Sequence, residues 1–393
     1  MRGWLQSVTN LIVSRRQSSE CGTRLQKSAS EQNAKGEKGM SHFRNPSRKA
    51  LFTARRFRNL VAACAASVIL SGCGVVNHMI YKTTGDVMQG FSRDHTVPFL
   101  MASDDLAMGC AMSEATAPLL MSFGRVTSEP DQLAVMLYLS AGGCADEQAR
   151  EHELAALAAM HAMNGNAAQD AMIRQKRANT LAAERYFKGW QHFKAHYGDP
   201  AAGECPEFDD DMDEFIYMAG LLSGLQALNS QIQSTSSIGV PANIGSIVAR
   251  ATSCLENDKW WGAPMALRAT VWAMIPGAEP QGEDAFERLE QADAQGTAAG
   301  VRLAHVFHAI AALNKGDDAM VRAVIRAHAK SLEATPPDED WRFVDAMATD
   351  MILAVSDRLW VENTGHRTPL GQLGTFWDDP REDIETMDLD ALL

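Results

Sequence analysis

Apolar residues recur along most of the chain in steps of three and four. Val321, Val324, Ile325, His328 and Leu332 fall at i, i+3, i+4, i+7 and i+11, and Val344, Met347, Met351 and Val355 follow the same rule. Each segment therefore carries one apolar stripe along a helix. Ala182, Tyr186, Gly189, Phe193 and Tyr197 form a third such face, which Phe187 and Trp190 widen into an aromatic flank. Gly220 and Gly224 sit four apart in FIYMAGLLSGLQAL, which lets a neighbouring helix approach closely. Sustained period-two alternation rich in Val, Ile and Thr is missing. No single stripe can be buried alone, so the pattern predicts an all-α fold.

Breakers separate these segments: SEPD at 128–131, NGN at 164–166, GDP at 198–200, IGVP at 238–241, IPGAEPQG at 275–282, KGDD at 315–318 and TPPDED at 335–340. Asp131, Asp317 and Asp338 stand where an N-cap is wanted. Each interval holds one long helix or a hairpin of two. Around Gly316, Ala309, Ala312, Val321 and Ile325 loosely echo a tetratricopeptide hairpin, although its diagnostic Trp, Tyr and Phe positions are not met. The predicted architecture is a tetratricopeptide-like array of antiparallel helix pairs over 73–361. An acidic tail over 362–393 is expected to be a loose end or a short docking helix.

Ahead of the array the pattern changes. Leu60 to Leu70 is an apolar run of eleven residues, whereas a membrane-spanning helix needs about 20. Arg48, Lys49, Arg55, Arg56 and Arg58 precede it, and Leu70-Ser71-Gly72-Cys73 follows. Basic flank, short apolar run and small residues make a secretory signal, and the ending resembles the bacterial lipobox, in which the cysteine is acylated and the signal removed before it. Residues 1–72 are thus predicted to be an N-terminal extension and signal, with Met40 as a candidate true start, and Cys73 to be the lipid anchor. Gly74, in place of a retaining aspartate, points to the outer membrane, with the protein facing the periplasm.

Processing changes the charge. Residues 1–72 carry 13 of the 36 Lys and Arg but 3 of the 49 Asp and Glu, so the chain from Cys73 has 23 basic and 46 acidic side chains, a formal charge of −23. Nucleic acids and anionic headgroups recruit Lys and Arg patches and are disfavoured as partners. Membrane contact is expected from acyl chains alone.

Four further cysteines, Cys110, Cys144, Cys205 and Cys254, remain after processing. In an oxidising compartment they allow two disulfides with three connectivities. Sequential pairing is preferred, because helical hairpins bring such neighbours together, and buried thiols are the alternative. His192 and His196 share a helix face but lack a third ligand, and His152-Glu153 lacks the second histidine of a zinc-protease motif. His305, His308 and His328 would converge only across a hairpin, and no metal is predicted. The acidic run 207–214 lacks the glycine and distal glutamate of an EF-hand and reads as favourable charge at a helix N-terminus. Nucleophile elbow, Walker loop and dinucleotide fingerprint are all missing, so no cofactor is expected. Trp260-Trp261-Gly262-Ala263-Pro264 opens a helix containing Trp272. These three tryptophans are candidates for an apolar groove, with core packing as the commoner use of such rings.

Taken in order, the features resemble the T component of tripartite (TRAP) transporters. They are the lipidated cysteine, Ser103-Asp104-Asp105, Ala117-Pro118-Leu119-Leu120, Glu129-Pro130-Asp131 opening a long helix, RANTLAAERYFKGWQHF, FIYMAGLLSGLQAL, IPGAEPQGEDAFERLEQA and RFVDAMATDMILAVSDRLW. The resemblance covers residues 73–361. It implies a tetratricopeptide-like periplasmic lipoprotein, often trimeric, that works beside a periplasmic solute-binding protein in uptake of organic, apolar ligands. The four extra cysteines, acidic tail and N-terminal extension depart from that family picture. The expected function is a non-enzymatic scaffold; the alternative is a periplasmic hydrolase with an unrecognised carboxylate or histidine site.

Overall fold

The structure is a computed structural model and describes residues 77–380. Cys73 and the predicted signal lie outside them, as do residues 381–393. Among the described residues every regular element is helical. Helix α1 covers 77–91, passes through one π-helical turn at Ser92–Thr96 and continues over Val97–Met101. It is followed by α2 (Leu106–Ser122), α3 (Asp131–His161), α4 (Gly165–Tyr197) and α5 (Asp211–Ser234). Six further helices complete the described residues: α6 (Ile244–Ala251), α7 (Ala263–Met274), α8 (Ala285–Ala299), α9 (Leu303–Lys315), α10 (Asp318–Ala334) and α11 (Arg342–Thr364). No described helix is long and apolar enough to cross a membrane.

The helices pack as antiparallel pairs. Asn164 caps α4 by accepting from the Ala167 amide at 3.2 Å, and only Ala162 to Asn164 separate α3 from α4. The close approach of α4 and α5 rests on missing side chains. A Cβ on Gly220 would stand 2.2 Å from the Phe193 ring, and one on Gly224 2.6 Å from Trp190. Gly189 faces Ser223, whose hydroxyl donates to the Tyr186 carbonyl at 2.9 Å. The aromatic face of α4 is buried in this seam, with Phe193 and Trp190 stacked at 5.1 Å.

The acidic run does more than face solvent. Asp210 caps α5, accepting from the Asp213 amide at 2.8 Å, while Asp213 and Glu214 are buried. Asp213 accepts from Gln132 of α3 at 2.7 Å and from the Tyr197 hydroxyl of α4 at 2.5 Å, and Glu214 pairs with Lys259. These carboxylates join four segments, which is why two acids tolerate burial.

Two features depart from a simple array. Helix α11 returns to α3, where Arg150 pairs with Asp350, Arg358 with Glu153, and Arg367 holds Glu151 through two bonds of 2.8 and 2.5 Å. Gly365, at φ +80°, ends α11 against His161, where a Cβ would meet the imidazole at 2.6 Å. Wedged in this way, α11 turns Val344, Ala348, Ile352 and Leu359 fully inward, so of the stripe read in its sequence only Val344 is buried, while Met347, Met351 and Val355 are half-buried at the edge of the core. The second departure is the tail. Residues 366–380 are docked without helix, so the folded unit runs beyond 361: Phe376 is buried, Arg322 and Arg326 lie over its ring at 4.8 Å, and the same arginines pair with Asp378 and Asp379. Its acids serve as docking charges.

Candidate functional site

A cavity of about 590 Å³ opens where the segment after α4 meets α6 and α7. Its walls follow from local sequence. Asp199 caps a 3-10 turn at Pro200–Ala202, and Gly203 takes φ +81° to reverse the chain. The Cys205–Cys254 disulfide, with Cα atoms 5.3 Å apart, then ties this segment to the turn after α6. Helix α6 buries Ile244, Ile247, Val248 and Ala251, which leaves Ser246, Ala249 and Arg250 on the cavity side. Helix α7 supplies Arg268, Val271 and Trp272, and α5 supplies Tyr217.

Arg268 is the chemically distinctive group. Its Nε donates to the Thr252 hydroxyl at 3.0 Å, which fixes the plane of the guanidinium. Burial pulls its pKa below the ordinary arginine value, and Glu283 pulls the other way; the group nevertheless remains a cation at any physiological pH. Among the described ion pairs neither Arg268 nor Arg250 has a carboxylate within 4.0 Å. Burial pushes Tyr217 up to about 12, so its phenol stays neutral. A guanidinium held in plane, beside Trp272 and the aliphatic wall of Val271, can bind a carboxylate or phosphate while the rest of the ligand lies on apolar surface.

The predicted site residues are distributed as follows. Trp272 lines the cavity. Trp260 and Trp261 do not: they are 2% and 7% exposed and pack edge to face at 5.5 Å with Trp341 and Phe215 around them, so the groove expected of them is core. The reason is the turn at Gly262, whose left-handed backbone sets both rings inward beside α8. The cysteines pair sequentially, Cys110 with Cys144 and Cys205 with Cys254. His192 donates through Nδ1 at 2.6 Å to the carboxylate of Asp131, which forms the first residue of α3 and not its cap, and stacks on Tyr138.

His305, His308 and His328 do converge, across α9 and α10, with His305 and His328 at 5.2 Å and His308 2.6 Å from Asp293 of α8. Burial drives His305 down and His328 down to about 3, with neighbouring His305 and Arg302 adding to it. Among the described residues no three His, Cys, Asp or Glu are placed to hold a metal ion. Beside them Arg302, fully buried, bonds Asp345 at 2.7 Å, the Ser331 hydroxyl at 2.7 Å and two carbonyls. Carboxyls raised by burial, Asp146, Glu153 and Asp350, lie in the α3–α11 seam beside Arg150 and Arg358 and not in the cavity.

Arg250 and Arg268 carry no motif. Their signal in the sequence is faint: Arg268 is the lone charge in APMALRATVWAM, an otherwise apolar helix. No protein-family model, no curated protein and no solved structure matches the chain.

Proposed function

We propose that this chain is a non-enzymatic helical scaffold of the cell envelope, anchored through Cys73 at the outer membrane, that binds a small organic anion with an apolar body. The observation that carries the reading is Arg268, a half-buried cation without a carboxylate partner in the lining that also presents Trp272. The volume suits a ligand of this class, since small-molecule pockets run from about 300 to 1,000 Å³. In keeping with the TRAP T-component resemblance, the ligand would be shared with a periplasmic solute-binding protein, which docks on the helical array. Hydrolysis is the weaker reading. Its acid and base would have to come from Glu204 and Tyr217, because the lining residues include no histidine and no second carboxylate.

Thermal melts of the purified full chain against a series of aryl and alkyl carboxylates, phosphates and sulfonates test the reading. A ligand at 100 times its Kd should stabilise by about 2.7 kcal/mol. Arg268→Gln should weaken that ligand by about 10- to 100-fold, the worth of a charged hydrogen bond, and Trp272→Ala should weaken the aryl members most. A wild-type melt that no anion shifts, or a shift that Arg268→Gln leaves intact, refutes the site. Recovery of a solute-binding protein with the membrane-anchored chain tests the partner.

A further inference from the structure

Helix α1 leaves one side without a protein partner. Gly85, Gln89, Leu100 and Met101 are buried against α2 and its neighbours. Ile80, Val87, Phe91 and Phe99 are exposed by 54%, 65%, 60% and 74%. Ile80, Val87 and Phe91 share one face at i, i+7 and i+11, with Thr83 and Thr84 between them. Phe99 would fall on another side of a regular α-helix. The π turn at Ser92–Thr96 takes up more residues than an α turn and retards the helix by about a quarter turn, which brings His95 and Phe99 back into line with Phe91. Phe91 and His95 lie 5.1 Å apart. The stripe positions Ile80, Thr83, Thr84, Val87, Phe91, His95 and Phe99 include no Asp, Glu, Lys or Arg: Lys82 is turned away to Asp86 and Ser128, Arg93 to Asp210, and the exposed carboxylate of Asp94 falls on the flank of the π turn. Helix α2, which pairs with α1, leaves Met108 and Leu119 exposed as well.

We infer that this face of α1 lies in the interfacial layer of the membrane, with Ile80, Val87, Phe91 and Phe99 set among headgroups and the first methylenes. The inference rests on Cys73 being the acylated residue. Only residues 74–76 then separate the anchor from α1, and such a link reaches about 14 Å at full stretch. An apolar helix face tethered so close to a bilayer meets lipid before anything else, and aromatic and aliphatic side chains on an interfacial helix enter the headgroup boundary. The tether separates lipid from a second copy of the chain: an acyl chain on Cys73 keeps α1 at the bilayer whether or not another copy is near, and with Lys82 and Arg93 engaged by Asp86 and Asp210 the contact is made by apolar side chains and not by headgroup charge. Protein contact thereby supplements the acyl chains, against the expectation of an anchor by acyl chains alone.

The test uses the full chain isolated from membranes and placed in phosphatidylethanolamine/phosphatidylglycerol vesicles. Val87→Cys carries an environment-sensitive fluorophore, with Glu290→Cys on α8 as the exposed comparison. Mass of the N-terminal peptide reports acylation of Cys73 separately. With Cys73 acylated, emission at 87 should shift to the blue and be quenched by spin-labelled lipid severalfold more than at 290. Acylated protein with equal quenching at both positions overturns the inference and leaves the anchor standing. An unacylated Cys73 overturns both. A blue shift at 87 without lipid quenching, accompanied by cross-links between copies, assigns the face to self-association and also overturns it.

Discussion

At the scale of single residues, three histidines, His305, His308 and His328, are held where water is excluded. His328 is fully buried and its pKa falls to about 3, against about 6.5 in an unfolded chain. Its folded-state pKa is depressed, so the unfolded state binds the extra proton between these values. Stability is complete above about pH 6.5 and falls as the pH is lowered. From pH 7 to pH 5 His328 alone should cost about 2 kcal/mol, with His305 shifted in the same direction. Urea unfolding at both pH values measures the loss, and His328→Gln should flatten it even where it lowers stability at pH 7. Asp146, Glu153 and Asp350 oppose the trend, since burial raises their carboxyl pKa values and they favour the folded form as they protonate. Sequence marked these histidines but not their surroundings. Convergence of His305 with His328 depends on a hairpin, and Asp293, their neighbour on α8, carries no motif. Arg268 was legible only as an odd cation in an apolar helix; its meaning depends on the Cys205–Cys254 bridge and on α6, neither of which lies next to it in sequence.

At the scale of elements, helical periodicity and breakers located most of the structure. All seven breaker clusters fall at or between helix ends, because Gly, Pro and Asp interrupt helices through local chemistry. The interval 282–315 holds a hairpin of two, whose turn the breakers do not place: Gly300-Val301-Arg302 has no Pro or Asp cluster, and the turn is held by tertiary contact, with Gly300 pressed on Pro336 and Arg302 on Asp345. The same distinction governs the helix-interior glycines. Gly220 and Gly143 look alike in sequence, yet a Cβ at Gly220 meets Phe193 at 2.2 Å whereas one at Gly143 meets only the Tyr186 hydroxyl at 3.8 Å. Gly220→Ala should therefore destabilise by about 1–3 kcal/mol through overpacking. Gly143→Ala should be neutral or stabilise by up to about 1 kcal/mol through helix propensity. Denaturant midpoints of the two variants, measured side by side, read the difference; equal shifts would mean that the α4–α5 seam is looser than its geometry.

At the scale of the folded unit, the array is closed by its own end. Nearest-neighbour stacking leaves the termini of a helical solenoid independent of each other, whereas here α11 and the segment after it reach back to α3. In sequence the tail, acidic and without an apolar stripe, reads as a loose end or a short docking helix, because Asp378 and Asp379 find Arg322 and Arg326 only after α10 is in place. A chain stopped after Gly365 loses the Phe376 anchor, whose burial is worth about 3–5 kcal/mol by truncation of a large side chain. It also loses Arg367, the partner of Glu151. Hydrogen exchange should then quicken in α3 as well as in α10; quickening confined to α10 would show the seam to be inert. The return of α11 also orders events in time. The Glu151–Arg367 contact spans 216 positions, and a growing polypeptide acquires structure from its N-terminal side first. Helix α3 is therefore completed by a residue made 216 positions later, so its seam waits, unclosed, while the intervening helices are synthesised. Long-range closure of this kind slows folding, and it makes a stop just before Arg367 felt in α3, more than two hundred positions upstream.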